Sequence, residues 1–185
     1  MMLFFSSESS VFRLASTSAL VCTLSIFSTG CSSSSKTWKD PETGLEWQKC
    51  SLGQTWNGSG CDGIPRKYTF DQAQEAVKAL GRGWRVPAAS ELASLIRCNT
   101  GFRETGELPD RKGGMKTMSI WCNSYPTSPT IDTTIFPNTP DSLYWSASPD
   151  ARNYNNAWFV SFGSGGAVNY VKYHNFHVRA VRTDQ

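Results

Sequence analysis

Apolar side chains recur every three or four positions between residues 70 and 80, which is the spacing of one helix face. The recurring residues are Phe70, Ala73, Ala76, Val77 and Leu80. Thr69 stands just before this run and Gln72 follows three residues later, which is the pattern of a capping box. Gly81 is typical of the residue that ends a helix. The pattern therefore predicts a helix between Thr69 and Gly81.

A second, shorter helix is predicted over residues 90–97, where Leu92, Leu95 and Ile96 fall on one buried face. The segment Trp-Arg-Val-Pro at 84–87 separates the two helices. We expect it to be extended, because the residue before a proline is forced out of the helical region.

Alternating apolar and polar residues predict strands on both sides of these helices. Before the helices, two short strands flank the Pro-Glu-Thr-Gly turn at 41–44, and Leu45 and Trp47 point to the same face because strand side chains alternate. After them, strands are predicted over residues 143–148, 157–162, 167–173 and 176–182.

The predicted strand at 157–162 places Trp158, Val160 and Phe162 on one face, and the turn Gly-Ser-Gly-Gly joins it to the next strand as a hairpin. Residues 99–141 show no periodicity and are rich in Pro, Gly, Ser and Thr, so a long loop is predicted there. The order of elements indicates an α+β fold.

The N-terminal region has the pattern of an export signal. The apolar run at 14–27 is shorter than the roughly 20 residues that a membrane-spanning helix needs. Ser28-Thr29-Gly30-Cys31 resembles the lipobox of bacterial lipoproteins, and this resemblance implies cleavage before a lipid-carrying Cys31. The alternative is an ordinary thiol behind a normally cleaved signal.

Three segments follow from the lipobox: a signal peptide over 1–30, a Ser-rich tether over 31–37 and one domain over 38–185. Ser32 stands where an inner-membrane retention signal would usually show Asp, so the resemblance favours anchoring in the outer membrane, on a periplasmic or cell-surface face. Several acyl chains anchor a protein stably.

Four cysteines remain in the domain: Cys50, Cys61, Cys98 and Cys122. An even number in an oxidising compartment predicts two disulfides, with three possible pairings. We predict the pairs Cys50–Cys61 and Cys98–Cys122, since each closes a local loop, and the second would tie down the long loop. Their spacing is unlike that of a zinc site.

The net charge is only +3, but bases without acids occupy residues 151–183, namely Arg152, Lys172, Arg179 and Arg182. This region is either a solvated sheet face or part of a site for an anionic partner. Arg85, Arg179 and Arg182 are candidates for ion pairs within the domain or for ligand contact. The apolar surroundings of four tryptophans predict core positions for Trp47, Trp84, Trp145 and Trp158.

Five blocks then stand out in order. They are DPETGLEWQKC at 40–50, GWRVPAASELASLI at 83–96, IDTTIFPNTPDSLYWSAS at 131–148, NAWFVSFGSGG at 156–166 and VRAVR at 178–182. Together they resemble the Lcl C-terminal domain family of bacterial envelope proteins. Through two of them the chain is also similar to domains with a C-type lectin-like fold, including formylglycine-generating enzymes. The resemblance implies two helices packed on a small twisted antiparallel sheet, with long disulfide-tied loops at the binding face.

An enzyme is not predicted. The chain has two histidines, His174 and His177, and three residues apart on a strand they would point to opposite faces. Formylglycine-generating enzymes depend on a reactive cysteine pair near the C-terminus, and no cysteine follows Cys122. An enzyme of that type is therefore the weakest alternative.

A calcium lectin site is also not predicted. The nearest matches to its motif, Phe136-Pro137-Asn138 and Thr139-Pro140-Asp141, lack the first carbonyl ligand. Asp132, Asn138 and Asp141 would supply only part of the six to eight oxygens that calcium prefers. We therefore expect no metal and no cofactor.

Planar rings, amides and positive charge gather near the predicted hairpin. Such groups suit glycans or acidic polymers, although a polar loop with an exposed strand face is the simpler interpretation. The candidate ligand-binding residues are Arg152, Tyr154, Asn155, Asn156, Tyr170, Lys172 and His174, with Tyr173 among them.

The expected function is that of a lipid-anchored binding module for a surface glycan, an anionic polymer or a protein, in adhesion or envelope assembly. The alternative is a structural subunit of an envelope complex without a ligand of its own. A homo-oligomer would favour the first, because multivalency strengthens weak sites. The compartment and the small charge disfavour nucleic acid.

Overall fold

Residues 35–183 are described by a computed structural model, and they contain ten strands and two short helices. The strands are β1 (Thr37–Lys39), β2 (Leu45–Gln48), β3 (Thr55–Trp56), β4 (Cys61–Asp62), β5 (Phe102–Pro109), β6 (Met115–Cys122), β7 (Leu143–Asp150), β8 (Asn153–Ser161), β9 (Gly166–Val171) and β10 (Val181–Thr183). The helices are α1 (Phe70–Lys78) and α2 (Ala89–Ala93). The α+β class is confirmed.

The strands form three antiparallel sheets. The largest has the order β5-β6-β9-β8-β7, a smaller one has the order β1-β2-β10, and β3 pairs with β4 alone. The predicted hairpin between the strands at 157–162 and 167–173 is confirmed as β8 and β9, paired from Asn156–Val171 to Ser161–Gly166.

Strand β8 is buried on both faces, which places the sheet between two core clusters. Ala157 and Phe159 belong to a cluster that includes the buried face of α1. Val160 and the following Phe162 belong to the other cluster, which includes the buried face of α2. Because strand side chains alternate, the two helices lie on opposite faces of the large sheet.

The start of α1 is the capping box that the sequence predicts. The Oγ1 of Thr69 accepts a hydrogen bond from the Gln72 backbone N at 3.4 Å, and the Gln72 Oε1 accepts one from the Thr69 backbone N at 3.1 Å. The helix ends at Lys78, so the prediction that Leu80 continues its buried face is wrong. Leu80 lies beyond the helix and is exposed, before Gly81, whose φ is +64°.

Helix α2 ends at Ala93, earlier than the predicted Arg97. Leu92, Leu95 and Ile96 are nevertheless buried as expected, because the turn that follows the helix keeps them against the same cluster. Each of these side chains contributes about 2 kcal/mol by leaving water.

The prediction of a loop over residues 99–141 is wrong for its first half, where β5 and β6 form a long hairpin. Leu108 is the one fully buried residue of β5, so the strand shows no apolar alternation to detect. The hairpin turns at Asp110, whose Oδ1 accepts hydrogen bonds from the backbone N of Lys112 (2.8 Å) and of Gly114 (2.7 Å). Irregular structure remains between β6 and β7.

The predicted strand over residues 176–182 is only partly regular. β10 begins at Val181 and pairs with β2, whereas Phe176 and His177 make isolated bridges to Tyr68 and Tyr144. This segment crosses from the large sheet to the small one, so one continuous ladder cannot form along it.

Both predicted disulfides are confirmed, with Cα–Cα distances of 5.5 Å for Cys50–Cys61 and 5.3 Å for Cys98–Cys122. Trp47 and Trp145 are fully buried, and Trp84 and Trp158 pack partly buried against the two clusters. Neither described helix has the length and hydrophobicity to cross a bilayer. The expected signal peptide, Cys31 and most of the tether lie outside the described residues.

Candidate ligand-binding site

The open end of the β8–β9 hairpin faces the start of α1. β8 begins at Asn153, and β9 ends at Val171, after which the Lys172 backbone N donates to the Asn155 carbonyl at 2.9 Å. The Lys172 carbonyl in turn accepts from the Phe70 backbone N at 3.0 Å. These two bonds fix the turn after β9 against both the hairpin and the helix.

Three tyrosines project from this end of the hairpin, and we call them the tyrosine patch: Tyr154, Tyr170 and Tyr173. Their exposed fractions are 81%, 47% and 73%. The imidazole of His174 lies 4.7 Å from the Tyr170 ring and stacks at 4.9 Å on the Tyr173 ring, centroid to centroid. His174 thus holds two of the three rings in a fixed arrangement at the surface.

A cavity of about 570 Å³ opens beside the patch. It is lined by Thr69, Asp71, Tyr154, Asn155, Val171, Lys172 and Tyr173. The Lys172 Nζ donates to the Tyr154 carbonyl at 2.5 Å and lies 5.2 Å from the centre of the Phe70 ring. The ammonium group is therefore held at the cavity wall.

The charges that line this cavity balance. Lys172 is its one base and Asp71, in the first turn of α1, its one acid. Hydroxyl, amide, carboxylate and ammonium groups at one surface can both donate to and accept from a polar ligand.

The structure brings together most of the residues that the sequence singles out. Tyr154, Asn155 and Lys172 line the cavity, and Tyr170 and His174 stand next to it. The other two, Asn156 and Arg152, do not line the cavity. The Asn156 Nδ2 donates to the Asn169 Oδ1 at 3.1 Å, and Arg152 lies in the turn before β8 with its Nε 3.8 Å from Asp150.

Sequence reasoning missed Thr69 and Asp71 as parts of this site. Thr69 is recognised there only as a helix cap, and nothing in the order of residues connects α1 with the end of β9. The bridge between Tyr68 and Phe176 brings the two segments together, and it is a long-range contact with no sequence signal.

The bases of the C-terminal third do not form one surface. Arg179 is fully buried, and the Arg182 Nε pairs with the Glu46 Oε2 at 2.6 Å. Arg179 therefore lies neither on a solvated face nor at a surface site, and Arg182 makes an ion pair within the domain. Arg85 also makes an internal ion pair, to Glu91 at 2.6 Å, as one of the two alternatives predicted.

Arg179 has uncharged partners in the described chain. Its guanidinium donates to the carbonyls of Gln48 (2.9 Å) and Lys49, and to the Thr139 Oγ1 at 2.7 Å. Burial lowers the pKa of Arg179 and raises the pKa of the nearby Tyr144 phenol, whose oxygen lies 2.7 Å from the Ser51 Oγ. This is an internal network and not a ligand site.

The possible calcium ligands are dispersed over separate contacts. The Asp132 carboxylate accepts from the Thr134 hydroxyl at 2.6 Å, and that bond lowers the pKa of Asp132. The Asn138 Oδ1 accepts from the Cys61 backbone N at 3.1 Å. Among residues 35–183, no group of three or more His, Cys, Asp or Glu side chains is placed to hold a metal.

The two histidines have different surroundings. His174 packs against the tyrosine patch, whereas His177 is buried and its Nδ1 lies 3.1 Å from the Arg66 carbonyl. Burial lowers the pKa of His177. The two rings do not form a shared site.

No curated protein and no solved structure gives a significant match to the chain. A family model does match, and it covers residues 36–182, which is almost the whole of the described region. The blocks that suggest the resemblance, from DPETGLEWQKC to VRAVR, all lie within that range. The chain therefore belongs to the Lcl C-terminal domain family.

Proposed function

We propose that this domain is a glycan-binding module and that its site is the cavity beside the tyrosine patch. The observation that carries the proposal is the gathering of Tyr154, Tyr170 and Tyr173 at one end of the β8–β9 hairpin, around groups that form hydrogen bonds. Exposed apolar surface that clusters in this way marks a binding site more often than scattered residues do.

The chemistry of the site suits a sugar. A phenol ring offers an apolar face for the C–H face of a pyranose and a hydroxyl for hydrogen bonding. The Asn155 amide and the Lys172 ammonium donate to sugar oxygens, and the Asp71 carboxylate accepts from sugar hydroxyls.

The charge balance selects among glycans. Since Asp71 offsets Lys172 and two of the C-terminal arginines have internal partners, the site lacks the excess positive charge that a sulfated polymer requires. We therefore propose a neutral, hydroxyl-rich glycan in preference to an anionic polymer.

The module is further proposed to be a lipoprotein of the outer membrane, with a C-type lectin-like fold. Support for the anchor is Ser-Thr-Gly-Cys31 behind an apolar run, and support for the fold is the order of the five sequence blocks. A lipid-held module with a weak sugar site serves adhesion or envelope assembly, because many copies on one surface act together.

The test is binding of the full chain to immobilised neutral and sulfated glycans, across a salt series, with calcium and with chelator. We expect neutral glycans to bind and chelation to have no effect. The variants Tyr154→Ala and Tyr173→Ala each weaken binding about tenfold, the effect of losing an aromatic stacking contact.

The matched control is Tyr125→Ala, which removes a 95% exposed tyrosine from the loop after β6. It leaves binding unchanged. An equal loss of glycan binding in all three variants would contradict this location of the site. Binding that is abolished by chelator would indicate a calcium site instead. Absence of binding to every glycan would favour a structural subunit of an envelope complex.

A further inference from the structure

Strand β5 is an open edge of the large sheet. The opposite edge, β7, is covered, since its Trp145 backbone N donates to the His177 carbonyl at 3.0 Å and its Ala147 backbone N donates to the Pro87 carbonyl at 2.7 Å. Within residues 35–183, the backbone of Phe102–Pro109 has hydrogen bonds only to β6. An edge of this kind is a template for another strand.

The pairing with β6 identifies which peptide groups face outward. The Asp110 backbone N donates to the Gly114 carbonyl at 2.9 Å, so the Asp110 N–H points toward the β6 side of the hairpin. Peptide groups alternate in direction along an antiparallel strand, so those of Thr105, Glu107 and Pro109 point away from β6. Pro109 has no N–H, and it ends the usable edge at Leu108.

We propose that the occupant of this edge is β5 of a second copy of the chain, antiparallel and centred on Thr105. The usable segment runs from Phe102 to Leu108, because Gly101 before it has a φ of +78° and Pro109 follows it. Thr105 is the midpoint of that segment. A two-fold axis there pairs the two copies over the full segment.

The side chains of this register complement each other. Arg103 of one protomer faces Glu107 of its partner, and the symmetry repeats the pair. Thr105 faces itself, and Phe102, which is 42% exposed, lies opposite Leu108, whose side chain is already buried in its own protomer. Opposite charges directly across two strands stabilise a sheet.

Neighbouring registers lose these pairs. Moving the axis to Glu104 sets two Glu104 carboxylates opposite each other, and moving it to Gly106 sets Glu104 against Leu108. Like charges across a ladder destabilise it. A charge pattern that accepts one register also rejects unrelated strands, which is how edges avoid general aggregation.

The ladder with β6 shifts its register around Glu104, and such a bulge increases the local twist of β5. The edge is therefore a poor template for a flat foreign strand. An identical strand has the same twist, and the two-fold axis relates the two bulges symmetrically.

Cross-linking of the full chain tests the register. In this arrangement the two copies of Thr105 form a hydrogen-bonded pair, whose Cα atoms lie about 5.5 Å apart, within the range of a disulfide. Under mild oxidation, Thr105→Cys gives a covalent dimer on a non-reducing gel. The control is Thr117→Cys, at a residue that is also exposed but lies on β6 and not on the edge. The parent chain shows any background.

A charge exchange tests the pairing itself. In the Thr105→Cys background, Arg103→Glu lowers the cross-linked fraction about tenfold, since each opposite-charge pair becomes a like-charge pair. Adding Glu107→Arg restores it. Cross-linking equal to that of Thr117→Cys, failure of the rescue, or a product whose mass is not twice that of the chain would each overturn the proposal.

Discussion

The guanidinium carbon of Arg179 lies 4.6 Å from the centre of the Phe136 ring. Together with the hydrogen bonds of Arg179 to Gln48, Lys49 and Thr139, this contact joins three segments that are far apart in sequence. The partners are an aromatic face and neutral oxygens, which stabilise a buried cation without an opposing charge.

Arg179→Met is expected to lower the free energy of unfolding by about 3 kcal/mol, because it leaves the carbonyls and hydroxyl without a donor inside the protein. Chemical denaturation measures the change. The control is Arg152→Met, at a side chain that is 82% exposed, which changes stability by less than about 0.5 kcal/mol. Similar small effects in both variants would contradict a structural role for Arg179.

The buried imidazole of His177 makes stability depend on pH. Burial lowers the pKa of His177 below its ordinary value of 6.5. Below that value the unfolded state takes up a proton that the folded state does not, so the free energy of unfolding rises with pH in this range. We expect the contribution of neutral His177 to the free energy of unfolding to be fully present above about pH 6.5 and to decrease as the pH is lowered from there.

Denaturation at a series of pH values between about 5 and 7.5 measures this dependence, with His177→Gln as the comparison. The variant has lower stability throughout and a flatter dependence on pH. Parallel curves for the two proteins would show that His177 is not the responsible group.

Gly165 allows the close approach of the β8–β9 turn to the second disulfide. Its φ is +66°, and a Cβ there would overlap the Cys122 Sγ. Gly165→Ala is therefore expected to cost about 3 kcal/mol or more, from backbone strain and overpacking together. The Cys122 backbone N also donates to the Gly165 carbonyl at 3.0 Å, so neither partner moves easily.

The comparison is Gly113→Ala in the β5–β6 turn, where φ is +84° but a Cβ would meet nothing within 4 Å. Gly113→Ala is expected to lower the free energy of unfolding by about 1 kcal/mol, because only the cost of a positive φ for alanine applies there. Thermal unfolding of the two variants separates the cost of backbone strain from the cost of overpacking. Equal losses of stability in both would mean that the contact with Cys122 is unimportant.

Asp71 is expected to determine the charge preference of the binding site. Asp71→Asn removes the one acid that lines the cavity and leaves Lys172, so affinity for sulfated glycans rises relative to neutral ones. The salt series on immobilised glycans measures the change. Because Asp71 lies in the first turn of α1, the variant also loses about 0.5 kcal/mol of stability. An unchanged preference would place the ligand away from this cavity.

The features that the sequence predicts correctly are formed by residues close together along the chain. The capping box of Thr69 and Gln72 involves residues three apart, and the disulfide Cys50–Cys61 closes a short loop. The hairpin of β8 and β9 shows itself through its alternating apolar residues and its glycine-rich turn. Each signal is contained in a short stretch of chain.

The missed features depend on exposure or distance. β5 carries mostly exposed side chains, so the apolar alternation that reveals a strand is missing from it. In β6 the alternation is limited to Met118, Ile120 and Cys122 at its end, and the first residues of the strand are exposed. The burial of Arg179 depends on contacts with residues 48–49 and 136–139. The sequence identifies Tyr154 and Lys172 as candidate site residues, but Asp71 joins them only through tertiary structure.

The pairing of β10 with β2 also determines when folding can finish. Trp47 in the centre of β2 needs Val181 as its neighbour, and the turn at the binding cavity is held by the bridge of Phe176 to Tyr68. Neither the small sheet nor the turn at the cavity can form until residues 176–183 are available to pair with β2 and Tyr68. Both features therefore depend on contacts between the two ends of the described domain.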